Sequence, residues 1–230
     1  MDFLAEGFRR AWDLLVTGDS EVYGIALLTL RVAVVATFIA CAIGLPLGYF
    51  LATRRFWGRR AALTVVNTAL AFPTVVVGLL LYGLLSRRGP LGSIGWLYTW
   101  QAIVVGDVLL ALPIAAALSA ASIQGVDPRI RRTAETLGAG SWRTAWTVAR
   151  EARFALAAVI TAFGQVDAEI GAAMIVGGNI RGSTRTLTTA VALFTSQGDF
   201  GMALALGFVL LAMALLVNVA LQVLQGRGSG

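Results

Sequence analysis

Five long apolar blocks, near residues 23–53, 61–85, 100–123, 154–177 and 201–223, alternate with polar intervals along the chain. Each is long enough for the roughly 20 residues that cross a bilayer's hydrocarbon as a helix, so the pattern predicts five membrane helices. Pro46, Pro73 and Pro113 lie inside the first three blocks, where neighbouring helices can compensate for a missing backbone donor; they predict kinks. Ahead of the first block, Leu4, Phe8, Ala11, Trp12 and Leu15 share one helical face, with Asp2, Glu6, Arg9, Arg10 and Asp13 elsewhere. That arrangement predicts an interfacial amphipathic helix over 1–18. It does not read as a secretory signal, because the Arg pair follows the first apolar residues and no cleavable apolar region comes next.

The longest polar interval, 127–153, separates the third and fourth blocks. Asp127 and Pro128 form a helix start, with Asp at the N-cap and Pro in the first turn. Ile130, Ala134 and Leu137 follow at helical spacing until Gly138 and Gly140 break the run. Ser141 then caps a second short helix whose Trp142, Ala145, Trp146 and Ala149 fall on one face. The result is a helix-turn-helix knob on the membrane surface, its tryptophans suited to the membrane interface or to a socket in a partner.

Composition agrees with the pattern. The chain is 58% hydrophobic and 13% charged, against about 25% charged in soluble domains, and its mean hydropathy is +0.81. We therefore expect an all-α integral membrane protein, with 1–230 forming a single membrane domain. The lone cysteine, Cys41, excludes an intrachain disulfide and reads as a small packing residue. His and Lys are both absent, which excludes His-based triads, Ser-Lys dyads, His zinc sites and the lysine of a phosphate-binding loop. No catalytic, metal or cofactor site is expected, and ATP hydrolysis by the chain itself is not expected.

Arginine placement sets the orientation. Arg54, Arg55, Arg59 and Arg60 share a side with the knob's Arg129, Arg131, Arg132, Arg143, Arg150 and Arg153, a side that the positive-inside rule makes cytoplasmic. Five spans then place the N-terminus outside and the C-terminus, with Arg227, inside.

Four ionisable residues fall at hydrocarbon depth: Arg31, Asp107, Asp167 and Glu169. An unpaired charge there costs about 2.5–3.5 kcal/mol on insertion scales, so each needs a partner or water. Two readings stand: Arg31 pairs with one of the acids to hold the bundle, or the acids serve function. On a continuous helix Asp167 and Glu169 point about 200° apart, so that at most one faces any single pathway. Beyond them, Met174 to Ile180 ends the fourth block, and Gly177-Gly178 permits a helix C-cap or a close helix approach. Arg181 and Arg185 follow in a predicted extracytoplasmic loop, 179–199, with Ser183, Thr184, Thr186, Thr188 and Thr189. These hydroxyls and guanidinium groups are donors for an oxyanion or for a carboxylate on an external protein.

Two segments carry a family resemblance. The interval 127–153 resembles the cytoplasmic loop of ABC-importer permeases, whose consensus runs Glu-Ala-Ala, three residues, then Gly, with an Ile-x-Leu-Pro close further on. Gly138 falls on that Gly and Ala134 on the last Ala, while Arg132 and Thr133 replace the residues before it and Glu151 stands at the closing Pro position. The run from Gly164 to Phe200, containing Met-Ile-Val-Gly-Gly-Asn-Ile and Thr-Arg-Thr, resembles the permease subunits of tungstate importers; segments 18–31 and 76–92 are similar as well.

The resemblance implies a homodimeric permease with the pathway between protomers, working with two ATP-binding subunits and an extracytoplasmic binding protein that delivers tungstate or molybdate. ATP and magnesium would bind the partner subunits and no cofactor this chain. It further implies ATPase coupling through Arg132, Thr133, Ala134, Gly138, Trp142 and Trp146, and a gate at Met174, Gly177, Gly178 and Asn179. Arg181, Thr184 and Arg185 would stand at the outer mouth, and the protein would lie in a bacterial or archaeal cytoplasmic membrane. Sulfate or phosphate transport on the same architecture, an ion-coupled carrier using the buried acids, and a non-transporting scaffold are the alternatives.

Overall fold

In the computed structural model, which describes residues 2–127, 129–130, 133, 136–140, 143 and 155–227, all regular elements among the described residues are helical. Helix α1 (Asp2–Val16) precedes α2 (Ser20–Thr53), α3 (Arg59–Ala69), α4 (Thr74–Leu85) and α5 (Trp100–Gln124). After the polar interval 127–153 come α6 (Ala155–Asp167), α7 (Gly171–Gly177), α8 (Leu187–Ser196) and α9 (Phe200–Arg227).

The unbroken helices long and apolar enough to cross a membrane are α2, α5 and α9; α3 with α4, bent by 102°, and α6 with α7, bent by 56°, bring the number up to five if each pair is one span. Two of the five expected blocks are thus broken helix pairs, and the count of five holds only where each pair crosses as one span. Pro46 and Pro113 sit inside continuous helices. Pro73, in contrast, is the N-cap of α4: it starts a new helix, where the sequence pattern predicts only a kink.

At the centre, α2 lies against α5 along a seam of small residues. Ala33, Ala36, Ala40, Gly44 and Gly48 on α2 and Ala111, Ala115 and Ser119 on α5 are all buried. A Cβ at Gly48 would come within 2.6 Å of the Ser119 Cβ, and one at Gly44 within 2.7 Å of the Ala115 Cβ, so the backbones approach more closely than any larger residue permits. Lipid offers no hydrophobic drive between helices, and close van der Waals contact of this kind holds them together instead. The Ser119 hydroxyl adds a hydrogen bond of 2.9 Å to the Leu45 carbonyl across the seam.

The two broken spans meet at their breaks. Gly78 of α4 faces Ala172 of α7, and Gly171 faces Thr74 and Val75, so the first turns of the two outer half-helices are pressed together. On the other flank α1 packs along the start of α9: Phe8 stacks on Phe208 with centroids 5.6 Å apart, and Arg10 bridges to Asp199 at 3.3 Å. Asp19 caps α2 by accepting from the Glu21 and Val22 amides at 2.9 and 3.0 Å.

One element is absent from the sequence reading. Residues 187–196, inside the expected loop 179–199, form α8, whose Leu187 and Ala190 are buried with Val22, Ile25 and Leu206. Thr186 and Thr189 supply a capping box at its start.

Candidate functional site

The break in the fourth span builds the most unusual chemistry in the bundle. Helix α6 ends at Asp167, and Glu169 turns its carboxylate onto the Ala172 amide at 2.9 Å, filling one of the first-turn donors of α7. Because the chain bends between them, Asp167 and Glu169 do not diverge as on a continuous helix. Both line one cavity, with Asp107 of α5, Thr29 of α2 and the Thr186 and Thr188 that precede and open α8. The three acids are 2%, 5% and 6% exposed for Asp107, Asp167 and Glu169. One oxygen of Asp107 and one of Asp167 are buried without a hydrogen-bond partner.

The expected partner for these acids is elsewhere. Arg31 lies 4.0 Å from the centroid of the Trp100 ring, a cation–π stack, and its surface-facing position on α2 turns it away from the cavity lining. The bundle-holding ion pair between Arg31 and an acid is therefore replaced by this stack.

Toward the end of the bundle that holds α7 and α8, the hydroxyls are fully engaged. Thr184, completely buried, donates to the Gly177 carbonyl at 2.5 Å and accepts from the Ile180 amide at 3.0 Å. Thr188 donates to the Glu169 carbonyl at 2.9 Å, and the Thr29 hydroxyl accepts from the Leu187 amide at 2.8 Å. Thr184, Thr186, Thr188 and Thr189 are therefore interior braces, not residues displayed at an outer mouth; only Ser183 of that group is exposed.

Gly178 closes α7 in the left-handed conformation at φ 71°, and Asn179 follows at φ 49°. The Tyr98 ring packs on Gly178, leaving no room for a side chain there, and the Tyr98 amide donates to the Val176 carbonyl at 2.8 Å. Met174 and Ile180 remain 39% and 44% exposed on either side of this clamp.

The two outer arginines share one acid. Glu21, at the start of α2, bridges Arg181 at 2.5 Å and Arg185 at 3.0 Å. The Arg185 side chain is 13% exposed and that of Arg181 74%, so only Arg181 presents its guanidinium outward. The sequence reading missed Glu21 and Tyr98. Nothing local in sequence links Glu21 to arginines 160 and 164 positions away, and a tyrosine at φ 63° carries no sequence signal.

Of the coupling residues, Thr133 is helical and exposed, and its carbonyl accepts from the Leu137 amide at 3.0 Å. Gly138 ends that turn at φ 80°, with no atom within 4 Å of where a Cβ would stand. Arg132, Ala134, Trp142 and Trp146 lie outside the described residues. Asp127 accepts from the Arg129 amide at 2.8 Å, as the helix start requires.

Residues 44–228 match the family of binding-protein-dependent transport system inner membrane components. The chain is 41% identical over 226 residues to the tungstate uptake system permease TupB of Peptoclostridium acidaminophilum, covering 98% of this chain and 99% of that protein. TupB of Campylobacter jejuni is 40% identical over 219 residues, 95% of this chain and 92% of that one. A crystal structure of a bacterial ABC transporter that imports the acidic polysaccharide alginate superposes with a TM-score of 0.74, covering 95% of this chain and 84% of that one. At 18% identity it speaks for the fold alone.

Proposed function

We propose, from the premise that the chain belongs to the family of binding-protein-dependent transport system inner membrane components, that it is the membrane permease of an ATP-driven importer whose cargo is tungstate. It is a transport component and not an enzyme. ATP hydrolysis falls to ATP-binding subunits and cargo delivery to a substrate-binding protein. The observation that carries the cargo is the end-to-end similarity to two tungstate uptake permeases. Molybdate is the chemically nearest competitor.

Finer features belong to the same reading. Two copies form the pathway between them, each served by one ATP-binding subunit, with the N-terminus outside and the C-terminus in the cytoplasm. The arginine asymmetry supports that orientation. Coupling follows the covalent path: the 127–153 segment joins the inner ends of α5 and α6, and α6 leads through its bend into α7. A pull on the segment therefore reaches Met174 to Ile180 at the far end. There, exposed Met174 and Ile180 form an apolar closure against the second copy, above the turn at Gly177, Gly178 and Asn179. Arg181 is the outward cation that meets either the oxyanion or a carboxylate of the binding protein; Thr184 and Arg185 hold the turn beneath it.

Gly138 is the point to test. A β-branched side chain there meets no neighbour but opposes the left-handed backbone. Gly138→Val is expected to insert normally yet lose association with the ATP-binding subunit, whereas Gly138→Asn, tolerated in that conformation, keeps it. The decisive assay is ATP hydrolysis in proteoliposomes containing the permease, its ATPase and its binding protein, with tungstate, molybdate and sulfate in parallel. Stimulation by tungstate-loaded binding protein, lost in Gly138→Val, supports the reading. An assembled complex that no oxyanion stimulates removes the cargo assignment, and normal co-purification of Gly138→Val removes the coupling assignment.

A further inference from the structure

The cavity at the bend of the fourth span plays no part in the transport path described above. It encloses ≈ 10 Å³, room for about one water-sized occupant. Its polar lining is all oxygen: the carboxylates of Asp107, Asp167 and Glu169 and the hydroxyls of Thr29, Thr186 and Thr188. From α2 and α5 no basic group lines it, nor from α6, α7 or the 185–188 segment. Arg31 is stacked on Trp100 and Arg185 is bridged to Glu21.

Two carboxylate oxygens, one on Asp107 and one on Asp167, are buried there without a partner. An ionised carboxylate only accepts hydrogen bonds, so two ionised neighbours cannot satisfy one another. A carboxylate held ionised at this depth needs a compensating positive charge; without one the group takes up a proton and is neutral.

We propose that this cavity binds one small monovalent cation, of sodium size, inside each protomer. Hard cations take carboxylate and hydroxyl oxygens, and interrupted membrane helices offer such oxygens at mid-membrane. The ion would rest on Asp107, Asp167 and the hydroxyls, since among the described residues no group of three or more His, Cys, Asp or Glu side chains is placed to hold a metal. One ion shared chiefly by Asp107 and Asp167 satisfies both orphaned oxygens. Because Asp107 stands on α5 and Asp167 at the end of α6, the ion ties together the two helices that flank the coupling segment.

The test reads stability, not uptake, so its outcome is separate from that of the cargo assignment. The full-length protein, in nanodiscs of phosphatidylethanolamine and phosphatidylglycerol, is unfolded thermally with tryptophan fluorescence as readout. One arm titrates NaCl against choline chloride at constant ionic strength and pH; the other varies pH in choline chloride. A saturable rise in Tm in the first arm identifies the sodium ion, whereas a rise with acidity alone shows carboxyls neutralised by protonation and overturns the proposal. Asp107→Asn and Asp167→Asn are expected to shift the midpoint of the sodium response at least tenfold. Glu169→Gln, which keeps an acceptor for the Ala172 amide, is a third variant should a carboxamide at the other positions prevent folding. A wild-type protein flat in both arms, or a response unchanged by the substitutions, overturns the proposal.

Discussion

Two polar clusters sit side by side in the bundle, and they resolve burial in opposite ways. The hydroxyl cluster, Thr184, Thr186, Thr188 and Thr189, is 0–5% exposed, and each of its oxygens has a partner within the chain. The carboxylate cluster, Asp107, Asp167 and Glu169, is buried as deeply, yet two of its oxygens have none. Thr186 and Thr188 touch both clusters, so the difference does not lie in depth or neighbourhood. It lies in valence: a hydroxyl donates and accepts, and a group of them closes on itself and on nearby backbone; ionised carboxylates only accept and must recruit something from outside. The first cluster is structural and self-sufficient. The second is incomplete in the isolated chain.

Substitutions that keep shape and remove polarity should separate the two. The largest effect is expected from Thr184→Val, which strands the buried Gly177 carbonyl and the Ile180 amide. Each lost partner costs about 1–3 kcal/mol, so a destabilisation of about 2–4 kcal/mol is expected in SDS unfolding followed by tryptophan fluorescence. An unchanged midpoint would break the claim that the hydroxyls are braces. Thr189→Val removes half of the capping box of α8 and should cost about 1–2 kcal/mol; amide exchange confined to residues 187–190 would locate the loss.

The carboxylate side should behave in the other sense. In sodium-free choline buffer, Asp107→Asn is expected within about 1 kcal/mol of wild type or above it, because exchanging an uncompensated buried charge for a neutral group is often neutral or stabilising. A loss as large as that of Thr184→Val would mean that Asp107 already has a partner. The smallest effect is expected at the surface. Arg181→Ala removes one exposed arm of the Glu21 bridge and should cost about 0–1 kcal/mol, less at high salt. Glu21→Ala should cost more, since it leaves the largely buried Arg185 without its acid; equal effects would show that Arg185 is held by something else.

The two clusters also differ in how much of them the sequence discloses. The acids stand out as ionisable residues in apolar blocks, a signal that needs no structure. Their convergence does not, because the angular argument assumes a continuous helix and the chain bends by 56° between α6 and α7. The threonines read as loop polarity, since short α8 carries too little apolar length to register as a span. Only the packing of Leu187 and Ala190 against Val22, Ile25 and Leu206 marks it as interior.

By itself, then, the sequence determined the class of the molecule. Apolar block length marks up to five crossings, because backbone groups in hydrocarbon must be bonded within a helix. Polar interruptions set off the 127–153 segment, and the absence of His and Lys removes whole classes of catalysis. Tertiary structure alone decided which charges meet. Arg31 goes to an aromatic ring, Glu21 to two arginines more than 150 residues away, and three acids from two spans meet at one cavity. Such pairings depend on where helices break and how closely they approach. In this protein both are set by Pro73, by the bend at 168–170 and by glycine contacts between helices, whose effect is felt only once the partner helix is in place.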